Sequence, residues 1–330
     1  MFVEAIEDIL KDQCTPAAVR AIEAGGSPDA LWNAVTEAGF LELLASEEHG
    51  GAGLALAELF PILTTLGAYA MPVPLAQSIA ARAVLAARTE IPSGMLTFAP
   101  ALRRMENGRL ICPLVPYGAI ANHVIAQDGE RVLVLPGASA VRTSTGVHGS
   151  LVASMSWEAD VDAGLAQTTL AAGGLAEFGA ALHAALLAGA MRRAFDMTLQ
   201  YANDRSQFGK SIGKFQAIQH QISVMAEHVA ASLIAAEAAF HGDARTPAPL
   251  ASAIAKSRTS EAAVLVASIA HAVHGAIGVT EEYDLQLLTR RLHEWRIAHG
   301  SEAHWNRIVG QRVLQSGEDR IVDFIRSART

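Results

Sequence analysis

The stretch richest in chemistry is Tyr201-Ala202-Asn203-Asp204-Arg205-Ser206-Gln207-Phe208-Gly209-Lys210-Ser211-Ile212-Gly213-Lys214-Phe215-Gln216-Ala217-Ile218-Gln219. It reads as a helix end, a glycine-punctuated loop and a new helix. The loop brings a guanidinium (Arg205), a carboxamide (Gln207) and an aromatic ring (Phe208) close together. An arginine fork suits the oxygens of a diphosphate, and a phenylalanine face suits a stacked base. The same residues also read as a plain inter-helix turn in which Arg205 caps carboxyl groups. Other groupings carry less. His271-x-x-His274 has a spacing that lets two imidazoles share a helix face, but no acidic or cysteine ligand stands near, so no metal site is expected. Arg290 and Arg291, close to Glu294, read as a solvated or inter-subunit face. Gly50-Gly51-Ala52-Gly53 follows no strand and is therefore not a dinucleotide-binding turn.

Three zones must position these groups. Residues 1–90 read as a helical domain. Leu31, Val35, Ala38 and Leu41 recur at helical spacing, a break follows at His49–Gly53, and a second helix starts near Leu54 and ends at Met71-Pro72-Val73-Pro74. Residues 91–168 change texture. Short apolar runs at Met95–Phe98, Arg109–Cys112, His123–Ile125, Val132–Leu135 and Leu151–Ser154 alternate with hairpin turns such as Asn107-Gly108 and Asp128-Gly129. This predicts a small antiparallel β domain. Residues 169–330 return to helix. Ile218, Ile222, Met225, Val229 and Leu233 form one buried stripe, and further helices cover Ile254–Val273, 281–298 and 301–315. The fold class is mainly α with a small β domain between two helical ones.

Composition excludes several roles. Of the 330 residues 51% are hydrophobic and 18% charged, the balance of a globular protein with a large core. The 25 basic and 33 acidic residues give a net charge of −8, opposite to a protein that binds nucleic acid. No apolar run reaches the roughly 18 residues that a membrane span needs. Met1-Phe2-Val3-Glu4 lacks the basic start of a signal peptide. Two distant cysteines, Cys14 and Cys112, fit a reduced, cytoplasmic chain without a disulfide framework.

The pattern Tyr-x-x-x-Arg-x-Gln-Phe-Gly-Lys-x-Ile-x-x-Phe-Gln at 201–216 resembles the C-terminal signature of the acyl-CoA dehydrogenase family. Leu31-Trp32 to Gly39-Phe40, Glu47-Glu48-His49-Gly50-Gly51-Ala52-Gly53 and His274-Gly275-Ala276-Ile277-Gly278-Val279-Thr280 resemble further family segments in the same order. The resemblance implies an N-terminal helical domain, a middle β domain and a C-terminal four-helix bundle. It also implies FAD between the β domain and the bundle, with the adenine end reaching a neighbouring subunit. Arg205, Gln207 and Phe208 occupy family positions that clasp the diphosphate and adenine, Phe215 and Ile218 match the adenine pocket, and Gly275 belongs to the glycine segment beside them. The implied reaction removes an α proton from an acyl-CoA while a β hydride leaves to the flavin, and it needs a carboxylate base.

The chain departs from the family at that base. His299 stands where the usual glutamate lies, Gly179 stands at the alternative position, and Glu177 falls elsewhere on the helix. Ala272 replaces a glutamine. Leu102-Arg103-Arg104-Met105 and Leu114-Val115-Pro116-Tyr117-Gly118 stand where the family carries a Thr-Glu-Pro-x-Ala-Gly-Ser-Asp-like loop against the flavin ring. Imidazole titrates near neutrality, so His299 is a candidate base, but the several losses together favour a packed, non-catalytic histidine. The pattern resembles the branch in which two dehydrogenase-like chains form an α2β2 assembly, one supplying the glutamate and the other the Arg-x-Gln-Phe-Gly clasp. That branch implies a steroid side-chain acyl-CoA substrate and an electron-transfer flavoprotein or similar acceptor. A homomeric flavoenzyme using His299 and a scaffold without FAD are the alternatives.

Overall fold

The computed structural model describes residues 1–85, 91–161, 164–169, 174–242, 245–317 and 320–327, so the expected boundary at residue 90 lies outside them. The chain opens with α1 (Phe2–Gln13), α2 (Pro16–Glu23) and α3 (Asp29–Glu37). Thr15 starts α2, its hydroxyl oxygen accepting from the Ala18 amide, and Pro16 takes the first turn, where no donor is missed. The expected stripe from Leu31 to Leu41 is cut short. Gly39 at φ 79° breaks the helix, Ala38 is exposed, and Leu41 is buried from a separate 3-10 turn. Helices α4 (Leu56–Ala68) and α5 (Leu75–Leu85) follow.

The strands are β1 (Leu96–Phe98), β2 (Arg103–Arg104), β3 (Leu110–Val115), β4 (His123–Asp128), β5 (Arg131–Pro136), β6 (Val141–Ser144), β7 (Ala153–Trp157) and β8 (Gly164–Thr169). They form two four-stranded sheets, ordered β1-β4-β5-β8 and β2-β3-β7-β6. Residues from both sheets, among them Cys112, Val124, Leu133, Leu135, Met155 and Trp157, share one core. Gly129 at φ 65° turns the β4–β5 hairpin, and Gly108 at φ 82° lies in the β2–β3 connection. One pairing corrects the antiparallel expectation: β1 runs parallel to β4, because the chain crosses to the other sheet before returning.

Helices α6 (Gly174–Asp204), α7 (Gln216–Ala238), α8 (Pro249–His274) and α9 (Leu285–Ile297) form the bundle. Between α6 and α7 a two-residue hairpin pairs β9 (Ser206–Gln207) with β10 (Lys210–Ser211). Helix α10 (Glu302–Gln315) packs on α8, and α11 (Ile321–Ser327) follows. Helix α6 touches α4, α7, α8 and α9, which explains its nearly continuous burial. By length and composition α6 and the 249–279 run would pass for membrane spans, but the apolar window of α6 is 83% buried inside the fold. At the α4–α6 crossing, a Cβ on Gly67 would overlap the Leu186 carbonyl, and one on Gly189 the Thr64 carbonyl. Bare glycines therefore set the distance between the two helices. A single hydrophobic core runs from Ile6 in α1 through Leu96 and Tyr117 to Trp295 in α9.

Candidate functional site

The hairpin between α6 and α7 and the end of α8 enclose an open groove of about 720 Å³. Its walls include Arg205, Gln207, Phe208, Phe215, Ile218 and Gly275, so the six residues singled out from sequence converge on one place. Phe208 is 91% exposed on a left-handed backbone (φ 51°), and its ring meets that of Phe215 edge-on at 6.3 Å between centroids. Arg205 is exposed and makes no ion pair among the described residues. Gly275 has φ 65°, and a Cβ there would meet no atom within 4 Å. Behind it Tyr201 stacks on His274 at 4.4 Å. The His274 Nδ1–H donates to the Ala270 carbonyl at 2.8 Å, leaving Nε2 as a buried acceptor without a partner. A free guanidinium, two perpendicular rings, a bare Cα and an unmet acceptor are a donor and stacking set that fits the ADP half of FAD. His271 is tied to Thr289 instead, through Nε2 and Oγ1 at 2.9 Å, and no metal-binding cluster exists among the described residues.

His299 lies elsewhere, at the turn between α9 and α10, with φ 53° and only 3% exposure. Its ring fills the space over Gly179, where any Cβ would fall inside the imidazole. The two positions that the resemblance aligns with the base therefore touch, and neither holds a carboxylate. The His299 ring packs against His183 of α6 at 5.1 Å, and neither of its nitrogens has a partner. His183 donates from Nδ1 to the Gly179 carbonyl at 2.8 Å. Lys256 of α8 is fully buried beside them and donates to Ser260 Oγ and to the Trp295 and Arg296 carbonyls at 2.7–3.0 Å. Burial, then the Lys256 charge, holds His183 down to about 3. Burial, His183 and Lys256 hold His299 well below the usual histidine range. Both imidazoles are neutral and sealed, an arrangement suited to packing rather than to taking a proton from a substrate. Glu177 is half-buried, raised by desolvation, and lies on the side of Arg312.

A third cluster joins the three zones and overturns one expectation. Arg291 is buried, not solvated. It pairs with Glu23 of α2 at 2.8 Å and Glu294 at 3.0 Å, while Arg290 reaches Glu23 at 2.7 Å and the His148 carbonyl at 3.0 Å. Tyr117 of the β domain, 3% exposed, donates to the Met71 carbonyl at 3.2 Å. Its phenol lies beside Arg291, Glu294 and Trp295, and burial pushes it up. On the α6 side Phe98 meets Phe178 edge-on at 5.9 Å, and Leu175 donates its amide to Gln127. The β domain thus stands directly on the bundle. Sequence reasoning missed Lys256 and His183, and it noted Tyr117 only as part of the 114–118 segment. Only His183 left a signal, as a lone ionisable group inside the apolar run 180–191.

The chain has relatives among known proteins. Residues 1–90 match the family model for the acyl-CoA dehydrogenase N-terminal domain, and residues 169–314 that for the C-terminal domain. Acyl-CoA dehydrogenase IpdE2 of Mycolicibacterium smegmatis is 33% identical over 296 residues, covering 88% of this chain and 90% of the relative. IpdE2 of Mycobacterium tuberculosis is 30% identical over 299 residues, covering 89% and 90%. The ChsE4–ChsE5 complex from Mycobacterium tuberculosis has a similar fold, with a TM-score of 0.82 at 22% identity over 96% of this chain and 97% of that one. The Tcur3481–Tcur3483 steroid ACAD does too, with a TM-score of 0.79 at 23% identity over 95% and 97%.

Proposed function

The chain belongs to the acyl-CoA dehydrogenase family, and from that premise we propose that it is the FAD-clasping, base-lacking subunit of a heteromeric acyl-CoA dehydrogenase. Members of the family are FAD flavoproteins. The observation that carries the proposal is the contrast between an open nucleotide groove and a sealed base position. FAD supplies the two-electron acceptor for α,β-dehydrogenation of an acyl-CoA thioester. This chain's residues would hold its nucleotide end. The Arg205 fork would take the diphosphate, Gln207 would add amide contacts, Phe208 and Phe215 would flank the adenine with Ile218, and Gly275 would let the backbone approach.

No group here takes the substrate α proton. The His299 ring fills the space that a side chain at Gly179 would need, and the imidazole is buried and neutral. A second dehydrogenase-like chain therefore supplies the glutamate, in an α2β2 assembly in the cytoplasm. An electron-transfer flavoprotein or similar carrier reoxidises the flavin. A steroid side-chain acyl-CoA is the proposed substrate class, a reading supported by the steroid ACAD among the similar folds. The burial of His299 speaks against the homomeric enzyme, and the open groove against a scaffold that has given up FAD.

The test is co-expression with an adjacently encoded acyl-CoA dehydrogenase-like chain. The complex is expected to be yellow and active, and the chain alone largely colourless and inactive. A charge-assisted contact is worth roughly 1.5–3 kcal/mol, so Arg205→Ala should weaken FAD retention by about tenfold or more. Equal FAD content in the mutant and wild-type complexes would refute the clasp.

A further inference from the structure

We propose that a second cleft, between the first helical zone and the bundle, binds an apolar carboxylate, a free acid rather than a CoA thioester. The proposal stands apart from the FAD-clasping reading, because this cleft shares no residue with the groove of Arg205 and Gly275.

The cleft holds about 630 Å³, within the roughly 300–1,000 Å³ of small-molecule sites. Its walls come from α1, α2, α4, α6, α7 and α9, and a junction between two packed zones is a common place for such a site. The inner wall is apolar. Val19, Leu287 and Leu288 are nearly sealed there, and Met197 and Leu233 stand half-buried above them. Lys11, Arg192 and Arg193 line the same cleft and are exposed, so its charge lies at the mouth. An apolar interior under a charged rim fits a molecule with one apolar and one ionised end.

The pairing of the rim charges sets the sign of that end. Lys11 pairs with Glu7 at 3.3 Å and Asp8 at 3.6 Å, Arg192 with Asp196 at 3.1 Å, and Asp284 with Arg20 at 2.7 Å. The Arg193 guanidinium makes no ion pair or hydrogen bond among the described residues. The Tyr69 phenol, half-buried in the same cleft, donates to no group among them either. One unpaired cation and one unpaired O–H donor call for a single anionic group, and the planar guanidinium fork matches a carboxylate. The several negative charges of a CoA tail would meet Glu7, Asp196 and Asp284 with only one unpaired cation to offset them. A cationic amphipath would face Arg193 itself.

Dodecanoate and deoxycholate present this chemistry on a flexible and on a rigid body. Calorimetry on the full chain, below micelle formation, should show one-to-one binding of at least one of them, and the tighter identifies the body. Arg193→Gln should weaken that acid by about tenfold. The methyl ester of the same acid keeps the body and loses the charge, and it should bind wild type and Arg193→Gln equally. Met197→Trp fills the cleft and should abolish binding of acid and ester alike. Should it fail to fold, Leu233→Trp fills the cleft from α7 and carries the same expectation. Binding of neither acid by wild type would overturn the proposal. So would equal affinity of wild type and Arg193→Gln for the acid, or binding that survives in a folded Trp variant. The titration is repeated on the complex with the second dehydrogenase-like chain. Retained affinity supports a ligand site, and loss of the acid there would make the cleft a subunit interface and overturn the proposal.

Discussion

Lowering the pH attacks this protein through two imidazoles that cannot reach water. In the unfolded chain His183 and His299 titrate near about 6.5. In the fold burial and the Lys256 charge hold His183 down to about 3, and His299 is likewise well below its usual range. The groups facing them are Lys256 from α8 and, beyond it, the Arg296–Glu302 pair that joins α9 to α10. Above the unfolded value both states are neutral and pH has no effect through these residues. Below it the unfolded chain binds two protons that the fold refuses, so stability falls as pH falls from about 6.5 toward the folded values. At pH 4.5 the His183 imidazole alone removes about 2.7 kcal/mol, and His299 acts in the same direction. Domains have only about 5–15 kcal/mol in total. Carboxylates add their own pH dependence, so the informative quantity is a difference. His183→Leu deletes one of the two refused protons. Between about pH 6 and pH 4 its stability should fall less steeply than wild type by about 1.4 kcal/mol per pH unit. Urea unfolding followed by tryptophan fluorescence at several pH values measures both slopes. Parallel slopes would mean that His183 is not held neutral in the fold, and the reasoning would be wrong.

Arg291→Ala strands the Glu294 carboxylate and leaves the nearly buried Glu23 with Arg290 as its partner, and it should cost about 3–5 kcal/mol, read from the urea midpoint at neutral pH. Wild-type stability would show that the cluster joining the zones is dispensable. His299→Ala, assayed in the complete complex with FAD content unchanged, should lower turnover by less than about tenfold, because loss of a true general base costs about 10²–10⁴. A hundredfold loss would restore His299 as the base and with it the homomeric enzyme.

What could be read in advance was what is local. The α7 stripe is visible in the chain because a helix face repeats at fixed spacing; Met225 and Val229 are buried, while Ile218, Ile222 and Leu233 are only half-buried against the core. The groove was legible because five of the six lining residues singled out from sequence lie between 205 and 218, so one loop carries the chemistry. Strand β6 left no trace, since Val141-Arg142-Thr143-Ser144 is wholly exposed and shows no apolar alternation. Arg291 was misread because its charge partner Glu23 sits at the other end of the chain, and no window of sequence pairs them. Tyr117 was unreadable for another reason. Left-handed backbone at an aromatic residue follows from the tertiary hydrogen bonds that pin the segment, and nothing in its side chain announces it.

The glycine-to-backbone crossing of α4 and α6 also sets a timetable for synthesis. Gly67 waits for Leu186, and Gly189 for Thr64, so the first helices cannot complete their packing until α6 has been made. At roughly 5–20 residues per second, the hundred or so residues between α4 and α6 take on the order of 5–20 s to be polymerised. Glu23 then waits about as long again for Arg291. Through that interval Leu59, Ile62, Leu63 and Leu66, all sealed in the finished fold, remain an uncovered apolar surface on the nascent chain. The helices that look most like an independent opening domain thus stay incompletely covered until α6, in the second half of the chain, arrives.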